Sequence, residues 1–425
     1  MISLWRIFCL EVTALVRSWT ALILLLASLG WIFAAKYLLV TDSTEEGARE
    51  MVVRYGLGGV FALLVVSVLS IATGCIASER GAKRLQLTQV RPVSPFAIAW
   101  GKFLALSAVA AAVLAFPCAT LVCSSEFSPL RCSHVYRPKM ESPAEEAAKM
   151  YDFYMADPET PPQVKTARKS VVLRILEQRA KDNYQTVRTN ETAVWSFPGL
   201  RARTSSGADV EMSVRLKFSN DFDMRDNVRG TLAAEGLFGV VSNITKTAIT
   251  VPLRRTVADM GSEADTLSFS NEGKAPVMLR PRQDVELLVP ADSFAWNMLR
   301  SYVVMASVLA FIAAFGIFLG AGLSRPVALF AALVMLAVSE MSPSVVEQYP
   351  DQLETDRIDR IGLAMTRLVE RGTKSVSSLS PLSSLADGDC VERGDVAETF
   401  ALDFLVLPAA LCLLSGFLIR RKQEP

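Results

Sequence analysis

The sequence predicts an α-helical polytopic membrane protein of six spans, with an inserted extracytoplasmic domain that is helical first and a β-sandwich after. Three observations predict it. Apolar residues make up 51% of the 425 residues and gather into long uncharged runs, the pattern of membrane helices rather than of a soluble domain. A polar stretch of about 175 residues separates the third run from the fourth, far more than a connecting loop needs. Within that stretch the apolar period changes from helical to two near Thr186.

Taken in order, residues 2–17 read as a helix on the membrane surface. Ser3, Arg6, Thr13 and Arg17 share one arc with Leu10 intruding, while Trp5, Phe8, Val12 and Leu15 point elsewhere. Glu11 breaks this pattern, and a basic flank that only orients the first span is an equal reading. Trp19–Ala35 is the first uncharged run, with Lys36 able to snorkel from its end. A cleaved signal peptide competes for it, but a long apolar stretch precedes the run and further spans follow. The acid-rich connection Thr41–Arg54 suits the outer face. Tyr55–Ala77 is the second span. Its Gly56-Leu57-Gly58-Gly59 follows no strand, so it reads as close helix packing and not as a nucleotide loop.

Phe103–Cys123 is the third span, which defines residues 1–125 as an N-terminal membrane half. Residues 126–297 form the inserted domain. Its helical part, 142–185, contains Ala144–Met155 and a second stretch after Pro161-Pro162. Its β part, 186–295, has period-two runs at 194–197, 210–218, 231–240, 248–253, 266–270 and 277–289. Short strands at such spacing suggest a sandwich or jelly roll.

Residues 298–425 form the C-terminal membrane half. Trp296 marks an interface before the fourth span, Ser301–Leu323. Residues 326–339 are short for a span, roughly 21 Å against a core of about 30 Å. They are counted as the fifth because otherwise Arg420-Arg421-Lys422 would lie outside, against the positive-inside trend. The sixth is Phe404–Ile419. Between them, 341–400 is an outer polar segment. Its stripe of Ile358, Ile361, Met365 and Leu368 reads as a packed helix, or alternatively as a membrane-surface gate. Asp403 either lines a pathway or is simply solvated.

Several chemistries are excluded. No phosphate-binding G-x-x-x-x-G-K-[ST] is present, since Gly101-Lys102 is followed by Phe103 and Gly273-Lys274 by Ala275, so no built-in ATPase is expected. A single histidine, His134, excludes a multi-histidine metal site and disfavours a serine–histidine hydrolase. A formal charge of +1 gives no reason to expect nucleic acid as a partner. Of seven cysteines, only Cys132 and Cys390 fall in clearly polar segments. They would bridge in an oxidising compartment, but two unpaired thiols are the default expectation.

The stretch Ala77–Lys102 is the most positive short connection, with Arg80, Lys83, Arg84, Arg91 and Lys102 against Glu79. Such a loop belongs on the cytoplasmic side. Glu79-Arg80, Leu85-Gln86-Leu87, Arg91-Pro92-Val93-Ser94 and Gly101-Lys102 follow one another in an order that resembles the first cytoplasmic loop of type-2 ABC transporter permeases. Gly81, Lys83 and Arg84 depart from that family's usual Glu, Gly and Thr. Leu379-Ser380-Pro381-Leu382 is similarly placed to the family's outer re-entrant region before the last span.

The resemblance implies a membrane-spanning exporter subunit in the cytoplasmic membrane, with both termini cytoplasmic and 126–297 outside. It implies a homodimer or paired permease in contact with membrane lipid. A separate ABC ATPase subunit would carry ATP and Mg, this chain binding no cofactor itself. Glu79, Arg80, Lys83, Arg84, Leu85, Leu87, Arg91 and Pro92 would couple the ATPase to the spans. The large insert departs from most of the family. It leaves two further readings: a lipid or lipoprotein export or extraction permease with the β domain as acceptor, and a non-transporting anchor displaying a sensing or adhesion sandwich.

Overall fold

Apolar helices pack according to where small residues let them touch and where the helical hydrogen-bond ladder is interrupted. Both features recur along this chain. The computed structural model describes residues 2–38, 45–81, 94–124, 130–158, 165, 169–181, 185–198, 211–218, 228–234, 237–244, 248–256, 264–273, 276–348 and 381–421. These fall into two units. One gathers described residues of Met1–Cys132, Asp292–Tyr349 and Leu353–Pro425, the other those of Ser133–Ala291.

The first unit begins with α1 (Ile2–Arg17) and α2 (Thr20–Leu38). Between them Trp19 adopts φ 60°, and the Ser18 hydroxyl donates to the Leu15 carbonyl at 2.8 Å, closing the end of α1. Next comes α3 (Glu45–Met51), which passes through a π turn (Val52–Leu57) into α4 (Gly58–Gly81). The Trp31 indole N–H of α2 donates to the Tyr55 carbonyl inside that turn at 3.0 Å. A side chain at Gly59 would strike the same indole, so this glycine of the run serves close packing. The helix α5 (Pro95–Val122) starts where Ser94 accepts a hydrogen bond from the Ala97 N–H and Pro95 occupies the first turn.

The second unit is entered through β1 (Arg131–Tyr136) and continues with α6 (Pro143–Ala156) and α7 (Lys169–Lys181). A capping box between Ser142 and Glu145 starts α6. The helices share a small core of Ala147, Val172 and Leu176, with Met150, Tyr151 and Tyr154 against it. Then follow β2 (Gln185–Val187), β3 (Thr192–Pro198), β4 (Glu211–Lys217), β5 (Val228–Ala234), β6 (Leu237–Ile244), β7 (Ala248–Thr256), β8 (Ala264–Asn271) and β9 (Val277–Leu279). A short α8 (Pro281–Asp284) leads to β10 (Val285–Ser293).

These strands make two four-stranded sheets, β1-β10-β4-β7 and β3-β8-β5-β6, and a two-stranded sheet β2-β9. Trp195, Phe197, Leu232, Leu267 and Phe269 from one four-stranded sheet share a core with Met212, Val214, Leu216, Leu287 and Val289 from the other. Each such side chain contributes about 1.5–3 kcal/mol on burial. In the β10–β4 pairing Glu286 lies opposite Arg215. Its carboxylate is buried and takes Arg137, Arg215 and Lys217 at 3.2–3.3 Å.

The chain returns to the first unit in α9 (Phe294–Gly322), capped by the Ser293 hydroxyl at the Trp296 N–H. After a turn at Leu323–Ser324 comes α10 (Arg325–Gln348). Last come α11 (Pro381–Asp387), α12 (Arg393–Thr399), a second π turn (Phe400–Val406) and α13 (Leu407–Arg421). Gly316 and Gly320 of α9 face Ala72 and Thr73 of α4. A methyl group at either glycine would lie 2.5 Å from the Ala72 Cβ or the Thr73 carbonyl, so the two backbones meet directly.

Among the described residues, five helices are long and apolar enough to cross a membrane: Thr20–Leu38, Arg49–Glu79, Pro95–Val122, Phe294–Gly322 and Arg393–Arg421. Arg325–Ala337 is a shorter apolar helix. The protein is thus a helical membrane protein with a β-containing insert.

Four features differ from the sequence reading. The third apolar helix starts at Pro95, not Phe103, because Ser94-Pro95 caps it and Lys102 finds partners inside. A strand, β1, precedes the helices of the insert, because its partner β10 closes the sheet from the far end of the insert. The helix beginning at Arg325 runs on to Gln348, well past Ser339. Asp403 is not solvated: it is fully buried within the second π turn. The stripe Ile358–Leu368 lies outside the described residues.

Candidate functional site

The site is built around Gly101-Lys102 on α5. With hydrogen alone at position 101, α1 lies directly on α5; an added Cβ would come 2.6 Å from the Ile7 Cγ2. That approach brings Glu11, one turn along α1, to the next residue of α5. Lys102 is 4% exposed, and its Nζ meets Glu11 Oε1 at 2.5 Å and Glu79 Oε1 at 2.8 Å. Glu79 belongs to the last turns of α4. One ammonium therefore ties three helices together, while Glu79 keeps 31% of its side-chain surface in contact with solvent.

Glu11 spoils the amphipathic pattern of residues 2–17 because its face of α1 is the inward one. Leu4, Ile7, Phe8, Val12 and Leu15 are partly buried beside it, while Trp5, Arg6, Leu10, Thr13 and Arg17 are exposed. A lysine buried without partners would lose several kcal/mol in desolvation; two carboxylates make the burial tolerable. Arg80 is in the same final turn as Glu79, and only its backbone is described. Lys83, Arg84, Leu85, Leu87, Arg91 and Pro92 lie outside the described residues. The described chain on either side of residues 82–93 is nonetheless pinned, by Glu79 before them and Lys102 after.

At the other end of α9 a second polar cluster holds residues 381–391. The Asn297 amide donates to the Asp389 carbonyl at 2.9 Å and accepts from the Val391 N–H at 2.8 Å. Arg300 donates to the Val391 carbonyl at 3.3 Å and pairs with Asp292 at 2.7 Å. Cys390 is joined to Cys132 in a disulfide, with Cα atoms 5.2 Å apart. This corrects the expectation of two free thiols: the geometry that sequence cannot supply is supplied by these hydrogen bonds.

Arg49 donates to the Ala386 and Asp387 carbonyls, both at 3.2 Å. Gly388 then turns the chain at φ 80°, beneath the Arg49 guanidinium, where a side chain would be both strained and obstructed. From Pro381 on, the Pro-containing segment before the last apolar helix is a short helix and turn; Leu379 and Ser380 lie outside the described residues.

Asp403 and Thr399, one turn apart and both fully buried, are polar groups within the last apolar helix. Among the described residues no group of three or more His, Cys, Asp or Glu is placed to hold a metal ion. Comparison with known proteins returns no match: no family profile fits the chain, and neither a curated protein nor a solved structure is similar to it.

Proposed function

We propose that this chain is the membrane-spanning subunit of an ABC-type transporter, an exporter working with a separate ATPase subunit. The observation that carries this reading is the Glu11–Lys102–Glu79 cluster. It joins the last turns of α4, just before residues 82–93, to a point two turns into α5 after them, and those residues hold the family-like Leu85, Leu87, Arg91 and Pro92. A push on that connection has a short ionic route into three helices at once.

In this reading the chain crosses the cytoplasmic membrane six times, α10 being the fifth crossing. The first, second and third crossings are α2, α3–α4 and α5; the fourth and sixth are α9 and α12–α13. Residues 82–93 and both chain ends are cytoplasmic, and the insert is a β-sandwich domain outside. Two independent signs support this orientation. The basic residues of 80–91 and 420–422 call for the cytoplasmic side, and the Cys132–Cys390 disulfide calls for an oxidising compartment at the other end of α9. Two copies, or this chain with a paired permease, would form the transport path.

The chain alone is expected to hydrolyse no ATP, having no phosphate-binding loop. The test is to purify the full chain from its native membrane and assay bound subunits and ATP turnover. Recovery of an ATPase subunit with turnover, both lost in Glu79→Lys but kept in Glu79→Gln with reduced stimulation, is expected. Recovery of no ATPase subunit, or full binding and turnover in Glu79→Lys, contradicts the proposal.

A further inference from the structure

The helical hairpin of the second unit carries a cavity of about 370 Å³ between α6 and α7, lined by Lys149, Met150, Phe153, Tyr154 and Arg179. This is an open surface pocket, four of its five lining residues coming from α6 and Arg179 from α7. Its floor is apolar: Met150 and Tyr154 rest on the Ala147–Val172–Leu176 core. Phe153 is 70% exposed, with its ring edge-on to Tyr154 at 6.2 Å. A large ring left in water beside a cavity is surface that a ligand can cover.

The rim carries two basic side chains, Arg179 and a Lys149 already facing Glu141, Glu145 and Glu146. Arg179 donates to the Tyr154 hydroxyl at 3.4 Å, which anchors one side of its guanidinium. Among the described residues no carboxylate forms an ion pair with it. Lys149, two-thirds exposed, is paired with Glu141 at 2.5 Å, and that carboxylate raises its pKa above the ordinary lysine value. Lys149 therefore stays charged at neutral pH.

We propose that this cavity binds a small organic anion with an apolar body, a carboxylate above all. The apolar part would cover Phe153, Met150 and Tyr154, and the carboxylate would take the open fork of Arg179 with Lys149 beside it. This site does not depend on the transport reading, since all five residues belong to one helical hairpin.

The test is equilibrium dialysis of the full chain, held in amphipol, against radiolabelled octanoate, octanol and octylammonium. Saturable octanoate binding at one equivalent per chain is expected, with octanol about tenfold weaker and octylammonium unbound. Arg179→Gln should weaken octanoate about tenfold and Arg179→Lys less. Phe153→Ala should weaken it several-fold, and Arg188→Gln, on an exposed turn, should change nothing. Phe153 and Arg179 are exposed, so these variants are expected to melt as wild type does. Absence of saturable octanoate binding, equal binding of octanol, or wild-type affinity in both Arg179→Gln and Phe153→Ala would overturn the proposal.

Discussion

The two ends of the α4–α9 pair are fastened by opposite means. At the Glu79 end a single buried ammonium is shared by two carboxylates on two other helices, with no covalent tie. At the Asn297 end a disulfide, an amide that bonds in both directions and an arginine hold three consecutive residues, Asp389–Val391. Ion pairs tolerate sliding and tilting because Coulomb attraction is weakly directional, whereas hydrogen bonds and a disulfide fix angles. An ionic joint thus ties α4 to α1 and α5, a clamp ties residues 389–391 to α9, and Gly316 and Gly320 bring α9 against α4.

The largest effect should come from breaking the joint. Lys102→Ala leaves Glu11 and Glu79 facing each other and is expected to cost about 3–5 kcal/mol. Removing all three charges together, Glu11→Gln/Glu79→Gln/Lys102→Met, should recover most of that loss. Unfolding of the detergent-solubilised chain by added SDS measures both, and equal stability of Lys102→Ala and wild type would remove the joint from consideration.

Opening the clamp comes next. Cys390→Ser should cost about 2–4 kcal/mol, and dithiothreitol should reproduce the loss in wild type without changing the variant. Thiol labelling of Cys132 and Cys390 before any reduction would contradict the bridge. Asn297→Ala leaves the Val391 N–H and Asp389 carbonyl without their partner, for about 1–3 kcal/mol. Smallest is Ser94→Ala, about 1 kcal/mol through the lost cap of α5. It should be separable from the joint by leaving the Lys102 pairing intact.

The contrast also explains what could be read from the sequence. Uncharged runs and period-two alternation are local signals, so the membrane helices and the β part of the insert were legible. The joint was half legible. Glu11 on an otherwise apolar face is the mark of an acid with a buried partner, and Ser94-Pro95 is a helix start that places Lys102 two turns inside. What joins them is a pairing across 91 residues, which no local pattern carries. The Cys132–Cys390 bond spans 258 residues and was illegible for the same reason. Glu286 likewise carries no local mark of burial; its strand register is what places it opposite Arg215 and near Arg137 and Lys217.

The proposed coupling through Glu79 and Lys102 is tested most directly by a charge swap in the ATPase-bound complex. On a Glu11→Gln background a single ion pair remains, so its reversal can be read cleanly. Glu79→Lys in that background sets two cations against each other and should abolish stimulated ATP turnover. Adding Lys102→Glu restores the pair with reversed polarity and should bring turnover back. Turnover that survives Glu79→Lys, or that Lys102→Glu fails to restore in a folded complex, would contradict coupling through this pair.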